Sequence, residues 1–339
     1  MSRSVAILGA SGLVGRTLLA ILEARRFPLD ELRLLASPRS AARTLTFRGA
    51  EVPVRPVTAE AFQGVEIAFF TVRNAVAKQW APLARAAGAC VIDASTAHRY
   101  DDDVPLVVPE VNGGLLDARP TLIANPNCSA APLAVALGAL RGLAALERVW
   151  VATYQSVSGA GAAALADLAS GIAAAATGGV PPRLADGRPP YALNCIPLID
   201  SFEENGYTRE EMKVTWELRK LLGLPALPVS ATAVRVPVRV GHSAAVLAVF
   251  DRAIAPEQAR ERWRSAAGIE LVDEPARGRV PMPLEAAGRD PVLVGRVRRD
   301  LAEPRGLSFF VVSDNLRKGA ALNAVQIAER WIAAPVVAR

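Results

Sequence analysis

Ser4-Val5-Ala6-Ile7-Leu8-Gly9-Ala10-Ser11-Gly12-Leu13-Val14-Gly15 is the stretch that decides the fold. Ser4 to Gly9 is an apolar run of strand length, and the pattern from Val14 to about Arg25 is helical. The glycines between them allow a tight turn and a close backbone approach to a phosphate, while the helix N-terminus favours negative charge. Gly9, Ser11, Gly12, Leu13, Val14 and Gly15 are therefore candidate nucleotide contacts. The spacing Gly-x-x-Gly-x-x-Gly is a relative of the dinucleotide fingerprint, and a plain strand-turn-helix is the alternative. The strand before it and the helix after it favour the nucleotide reading.

Outward from this unit, strands are expected at Glu31 to Ala36, Val65 to Val72 and Cys90 to Ala94, with a helix from Ala75 to Ala87. Strands alternating with helices predict an α/β fold with a parallel, doubly wound Rossmann-type sheet. Near Val149 the character changes. Strand-like segments at Val149 to Val157, Ala231 to Val240, Ser243 to Asp251 and Leu307 to Ser313 predict a second α/β domain with a mixed sheet. Ala162 to Ala176 suits a helix by propensity, and Gly178 to Pro190 reads as a loop. Lys318 to Ala333 carries Leu322, Val325, Ala328 and Ile332 at helical spacing, and is expected to return to the first domain. The expected domains are 1–127 with 318–339, and 128–317.

At the end of the second strand, an NAD site would usually place Asp or Glu for the ribose hydroxyls. The chain has Ala36-Ser37-Pro38-Arg39-Ser40 instead. A guanidinium flanked by the hydroxyls of Ser37 and Ser40 suits a 2′-phosphate, and so NADP. A solvated loop arginine is the alternative.

The net charge of +6 comes from thirty-five Arg and four Lys against 33 acidic residues. They are scattered, with no basic tract or recognition motif, which argues against nucleic acid. No apolar run reaches the roughly 18 residues that span a bilayer. Met1-Ser2-Arg3-Ser4 leads straight into the first strand and does not read as a secretory signal. Three cysteines without metal-ligand spacing argue for a reducing compartment, taken as the cytoplasm, and against a metal site or disulfide framework.

Cys128 stands in Asn125-Pro126-Asn127-Cys128-Ser129-Ala130-Ala131-Pro132, between the strand Pro120 to Ala124 and an alanine-rich helix. A free thiol has a pKa of about 8.5, and a helix N-terminus lowers it. A small core residue is the alternative, and the polar turn favours a reactive thiol. Cys90 and Cys195 read as core residues. Of the two histidines, His242 follows Arg235 to Gly241 beside a strand-rich segment, and His98 follows the fourth strand. Gln155, in Thr153-Tyr154-Gln155-Ser156-Val157-Ser158-Gly159-Ala160-Gly161, places an amide at a strand end before a glycine turn.

These pieces, with 104–112, Glu210-Glu211-Met212-Lys213 and Ser313 to Ala321, occur in an order that resembles the aspartate-semialdehyde dehydrogenases along nearly the whole chain. The resemblance implies a Rossmann-type NADP-binding domain and an α/β catalytic domain that also forms the dimer interface of a homodimer or homotetramer. It implies NADP-dependent interconversion of L-aspartyl 4-phosphate and L-aspartate 4-semialdehyde, in lysine, threonine and methionine biosynthesis. Cys128 would be the nucleophile that forms a thioester, His242 the general acid/base and Gln155 an orienting amide. Arg235 would hold the substrate carboxylate and Glu210 its ammonium group. Arg99, Asn127 and Lys213 would bind phosphate. Thr71, Ser158, Gly159, Asn315 and Gly319 would join the cofactor site. Glu210 and Lys213, three apart on a helix, could instead be a surface ion pair.

The chain departs from the family's usual pattern at Thr71-Val72-Arg73-Asn74, His98, Leu198 and Ala244. These leave room for another substrate, such as N-acetyl-glutamyl phosphate, or for a silent NADPH-binding paralogue. A Cys-His hydrolase is a further alternative, but it leaves the nucleotide signals unexplained.

Overall fold

A computed structural model describes residues 3–335. The readings at Met1 and Ser2, and the end of the 318–339 segment, lie outside the described residues. The chain forms two compact units: one holds the residues up to Asn127 and those from Ala320 onward, the other Cys128–Gly319.

The first unit is built on seven strands: β1 Ser4–Leu8, β2 Glu31–Ala36, β3 Arg43–Phe47, β4 Ala50–Pro56, β5 Ile67–Phe70, β6 Cys90–Asp93 and β7 Leu122–Ala124. They lie in the order β3-β4-β2-β1-β5-β6-β7, all parallel except β3, which pairs antiparallel with β4. Every residue of β1 is buried, as a strand covered on both faces requires. Chain order reverses at β1, whose neighbours are β2 and β5, and this is where doubly wound sheets bind ligands. The last helix, Leu322–Ala333, sends Leu322, Val325, Ala328 and Trp331 into the same core as Val5, Ile7 and Phe69. Each fully buried large apolar side chain contributes about 1.5–3 kcal/mol. The third expected strand is shorter than Val65 to Val72, since Thr71 already turns out of the sheet.

The second unit carries β8 Leu146–Gln155, β9 Val229–Arg235, β10 His242–Phe250, β11 Ile269–Leu271, β12 Val292–Arg299 and β13 Gly306–Ser313. Their order is β11-β12-β13-β10-β8-β9. The β8/β9 and β11/β12 pairs are parallel and the others antiparallel, so the sheet is mixed. The strand expected to run to Val240 stops at Arg235. Pro237 has no N–H for a ladder, and the chain folds beside β8 instead, where the carbonyls of Val238 and Arg239 accept the N–H groups of Val157 and Ser158. Gly241, at φ +100° against Pro283, then turns the chain into β10. In this way β8, β9 and β10 bring Gln155, Arg235 and His242 to one end of the sheet. Trp263 is fully buried against Phe309 and donates Nε1–H to the carbonyl of Ala136 at 2.9 Å. No helix among the described residues is long and apolar enough to cross a membrane.

Candidate functional site

In the first unit, Gly9 has φ +94°, and a Cβ there would stand 2.6 Å from the carbonyl of Thr71 at the end of β5. A Cβ on Gly15 would lie 2.3 Å from the carbonyl of Gly9. Both positions admit only glycine, which holds the turn tight at the switch point. The helix Leu13–Ala24 begins there with Gly12 as its N-cap and no side chain capping it, which leaves its N-terminus without a side-chain acceptor, as an anion site requires. Thr71 donates Oγ1–H to the carbonyls of Leu8 and Gly9, at 3.2 Å each. After β2, Ser37 and Arg39 are exposed on a short turn, Pro38–Ser40. No carboxylate stands at the end of β2, so the residues present fit a phosphorylated ribose.

His98 lies in this unit with its Nδ1 2.9 Å from the fully buried Asp93 carboxylate, which also accepts the N–H and hydroxyl of Ser95. That pins the loop carrying Arg99, whose buried guanidinium donates to the carbonyl of Ala94 at 2.8 Å. Asn127 is buried as well. The turn before it is anchored by Asn323, which donates to Asn125 Oδ1 at 2.8 Å and to the carbonyl of Val107 at 2.9 Å.

The second unit opens with Cys128, half-buried, two residues before the helix Ala130–Ala139. Gly319 closes on it: a Cβ there would lie 3.0 Å from Cys128 Cβ and from its carbonyl oxygen. The charge of Cys128 acts on Arg235. By contrast, burial pushes the Cys90 thiol up to about 12, which leaves it inert. Cys195, expected in the core, is exposed on the loop after Leu193, a residue held at φ +60°.

Arg235 is buried and donates Nη1–H to the carbonyl of Ser156 at 2.8 Å. Burial lowers its pKa, against the charges of Cys128, Glu210 and Tyr191, which favour the cation. Gly159 leaves the space in front of it: a Cβ there would fall 3.0 Å from Arg235 Nη1 and 3.2 Å from His242 Nε2. Arg235 also lines a cavity of about 400 Å³, with Tyr191, Ile196, Leu198 and Asp200. Gln155 donates Nε2–H to Glu210 Oε1 at 3.1 Å, and both are buried.

Glu210 sits in the first turn of the helix Arg209–Leu222, started by a capping box between Thr208 and Glu211. Its other oxygen accepts from Lys213 at 3.3 Å, and Lys213 donates to Asp200 at 2.6 Å. Glu210 is buried and joined to Gln155, while Lys213 is half-buried, so the pair is more than a plain surface ion pair. Burial opposes the charge of Lys213, but Glu210 and Asp200 outweigh it and raise its pKa.

His242 is buried, and burial followed by the charge of Arg235 holds its pKa well below 6.5. Its Nδ1 accepts the main-chain N–H of Ser156 at 3.0 Å. The side chains of Ser158 and Asn315, expected at the cofactor, are buried and bonded to one another at 2.9 Å and to Ser156. Ser156, Tyr191 and Asp200 are the neighbours of this cluster that spacing alone did not single out. Ala244 is buried, in register with Thr153 and Val311. No group of three or more His, Cys, Asp or Glu among the described residues could hold a metal ion.

Two family profiles match the chain: the semialdehyde dehydrogenase NAD binding domain over residues 4–118, and the semialdehyde dehydrogenase dimerisation domain over residues 137–318. The aspartate-semialdehyde dehydrogenase of Aquifex aeolicus is 47% identical over 332 residues, covering 97% of this chain and 98% of that protein. That of Bacillus subtilis is 44% identical over 332 residues, covering 96% of each. Among solved structures, aspartate semialdehyde dehydrogenase II of Vibrio cholerae complexed with ASA superposes with a TM-score of 0.94 at 44% identity, over 98% of this chain and 99% of that one.

Proposed function

The chain belongs to the aspartate-semialdehyde dehydrogenase family, and we propose that it reduces L-aspartyl 4-phosphate to L-aspartate 4-semialdehyde reversibly, with NADPH, through a thioester on Cys128. The observation that carries this reading is the grouping of Cys128, His242, Arg235 and the Gln155–Glu210 pair within one unit.

In this reading the Cys128 thiolate, whose charge acts on Arg235, attacks the acyl carbon. A C–S bond forms, the bond to the phosphate oxygen breaks, and phosphate leaves. NADPH, when bound, supplies the hydride that reduces the thioester. Breaking the C–S bond then frees the semialdehyde and restores the thiolate. Arg235 pairs with the α-carboxylate through its directed donors. Glu210, already holding Gln155 and Lys213, takes the α-ammonium group, which an N-acetylated substrate would lack. Arg99, Asn127 and Lys213 are assigned to the phosphate.

The glycine cradle and Arg39 support NADP, with Gly9, Ser11, Gly12, Leu13, Val14, Gly15, Ser37, Ser40 and Thr71 around it. Ser158, Gly159, Asn315 and Gly319 complete the assignment to the cofactor end. The unit that includes β1 to β7 would bind NADP, and the unit of Cys128–Gly319 would carry catalysis and dimerisation. We read the enzyme as a cytoplasmic homodimer or homotetramer supplying lysine, threonine and methionine synthesis.

The test follows NADP⁺ reduction with L-aspartate semialdehyde and phosphate, beside N-acetyl-glutamate semialdehyde and NAD⁺. Phosphate-dependent turnover with the first pair is expected. Turnover only with the acetylated substrate would reassign the substrate. NADPH binding without turnover on either would identify a silent paralogue.

A further inference from the structure

Asp93, the last residue of β6, is fully buried and holds two segments of the first unit at once. Its carbonyl accepts the N–H of Asn125 at 2.8 Å, at the start of the turn that leads to Asn127. Its carboxylate takes the loop that ends in Arg99. Oδ1 accepts the N–H of Ser95 at 2.9 Å, while Oδ2 accepts the Ser95 hydroxyl at 2.8 Å and lies 2.9 Å from His98 Nδ1. An ionised carboxylate only accepts hydrogen bonds, so Nδ1 is the donor. The two residues at the ends of these segments, Arg99 and Asn127, are both assigned above to phosphate.

The near end of the loop is held from two sides. The Ser95 hydroxyl oxygen accepts the N–H of Ala97 at 3.0 Å. Asn74 grips Thr96 with both amide atoms: Oδ1 accepts the Thr96 N–H at 2.9 Å, and Nδ2 donates to Thr96 Oγ1 at 2.5 Å. Asn74 opens the helix Asn74–Ala86, so this grip comes from a second element. At the far end the half-buried His98 returns the chain to β6 one residue before Arg99. Arg99 is buried, and its Nη2–H meets the carbonyl of Ala94 at 2.8 Å, at the foot of the same loop. Asn74 and His98 are two of the positions at which the chain departs from the family's usual pattern, and here they are two grips on one loop.

We propose that His98 and Asn74 are positioning residues for the phosphate: together they fix the loop Ala94–Arg99 before phosphate arrives, and so set the affinity for phosphate rather than the rate of the acyl and hydride steps. The inference rests on the reaction proposed above and deepens its assignment of Arg99. Preorganisation carries the effect. A guanidinium on a loose loop must be ordered as the anion binds, which weakens binding, whereas one already fixed loses little on binding. Arginine feels this strongly, because its planar fork of N–H donors matches two phosphate oxygens only in the right orientation. The bond from His98 also engages a buried carboxylate, which leaves its partner little freedom to exchange with water.

The test compares His98→Phe, which keeps a ring and loses the donor, with His98→Asn, whose amide nitrogen stands about where Nδ1 does. NADP⁺ reduction with L-aspartate semialdehyde is followed as phosphate is varied, and inorganic phosphate is titrated calorimetrically into the NADP⁺-loaded protein. In His98→Phe the KM and Kd for phosphate should both rise about tenfold, the order of one hydrogen bond to a charged group. Turnover at saturating phosphate and the KM for the semialdehyde should stay near their wild-type values. His98→Asn should recover most of the phosphate affinity, and Asn74→Ala should raise the phosphate KM selectively, as His98→Phe does.

A phosphate KM unchanged in His98→Phe, or raised equally in His98→Asn, would make His98 a packing residue and overturn the proposal. A fall in turnover together with a rise in the semialdehyde KM would overturn it too, since that marks a general disturbance of the fold. If His98→Phe does not fold, Asn74→Ala and His98→Asn decide: an unchanged phosphate KM in the first, or one lost with turnover in the second, overturns the proposal. Wild-type protein that turns over neither semialdehyde, yet binds phosphate with this dependence on His98, would end the proposed reaction and leave the inference standing. Turnover whose phosphate KM ignores both residues would do the reverse. Wild-type protein that neither turns over nor binds phosphate would overturn both.

Discussion

Replacing Gly319 with alanine should disable the enzyme by moving its nucleophile. The added methyl would lie 3.0 Å from Cys128 Cβ, 3.0 Å from its carbonyl oxygen and 3.1 Å from its Cα. Carbon atoms rest about 3.5–4.0 Å apart, so Cys128 or the turn Arg317–Ala321 must retreat by roughly 0.5–1 Å. Two of the three contacts are main-chain atoms, which cannot rotate aside. Overpacking of this kind costs about 1–3 kcal/mol, a fall in Tm of about 2–4 °C per kcal/mol for a domain of this size. A misplacement near 1 Å costs about 10²-fold in rate. Saturating turnover, iodoacetamide alkylation of Cys128 and an NADPH fluorescence titration would be measured on the same preparation. A fall in turnover of roughly 10²-fold, with a changed alkylation rate and NADPH still bound, is the expected pattern. Wild-type turnover at saturation, with the loss confined to NADPH affinity, would refute the reasoning and make Gly319 a cofactor residue only.

Other substitutions separate the remaining roles. Arg39→Ala should weaken NADPH binding by roughly 10-fold or more, a charge-assisted phosphate contact of about 1.5–3 kcal/mol, and leave NADH binding unchanged; equal losses would remove Arg39 from the 2′-phosphate. Glu210→Gln keeps the shape but weakens the hold on Lys213 and on the substrate ammonium, so KM for the semialdehyde should rise more than kcat falls, which steady-state kinetics would show. The Asp200–Lys213 pair gives a pH dependence of stability with opposite signs at its two ends. The Lys213 pKa is raised from 10.5 by Glu210 and Asp200 despite burial, so its contribution is complete below 10.5 and lost as pH rises through the folded value. The Asp200 pKa is lowered from 3.8 by Lys213 despite burial, so its contribution is complete above 3.8 and lost as pH falls through the folded value. Urea midpoints of Lys213→Met should therefore vary less with pH at both ends than those of wild type.

The parallel sheet is legible because β1, β5 and β6 are largely apolar, every residue of each is buried, and glycine or polar turns punctuate them. The hairpin of β3 and β4 is not. Its strands are largely exposed, with only Phe47 and Val54 buried, and Pro53 interrupts the second. The strand at Ala231 ends at Arg235, before the sequence suggests, because Val236, Val238 and Val240 continue the apolar alternation while Pro237 and Gly241 turn the backbone away. In the site, Cys128 announces itself by local context, whereas Gln155, Arg235 and His242 take their roles only from the family resemblance. Ser156 carries no such mark, since its bond to Asn315 spans 159 positions and its contact to His242 comes from a main-chain N–H that every residue but proline possesses. Asp200 was equally silent: its partner Lys213 is on a helix thirteen residues away, and its left-handed backbone at φ +69° has no sequence mark.

The most direct test of the thioester on Cys128 is the intact mass of the protein after mixing with L-aspartate semialdehyde and NADP⁺ in the absence of phosphate. The account predicts one aspartyl acyl adduct per chain, mapped to Cys128, discharged on adding phosphate and absent from Cys128→Ser. NADPH formation in step with turnover but without an adduct, or an adduct that persists in Cys128→Ser, would contradict it.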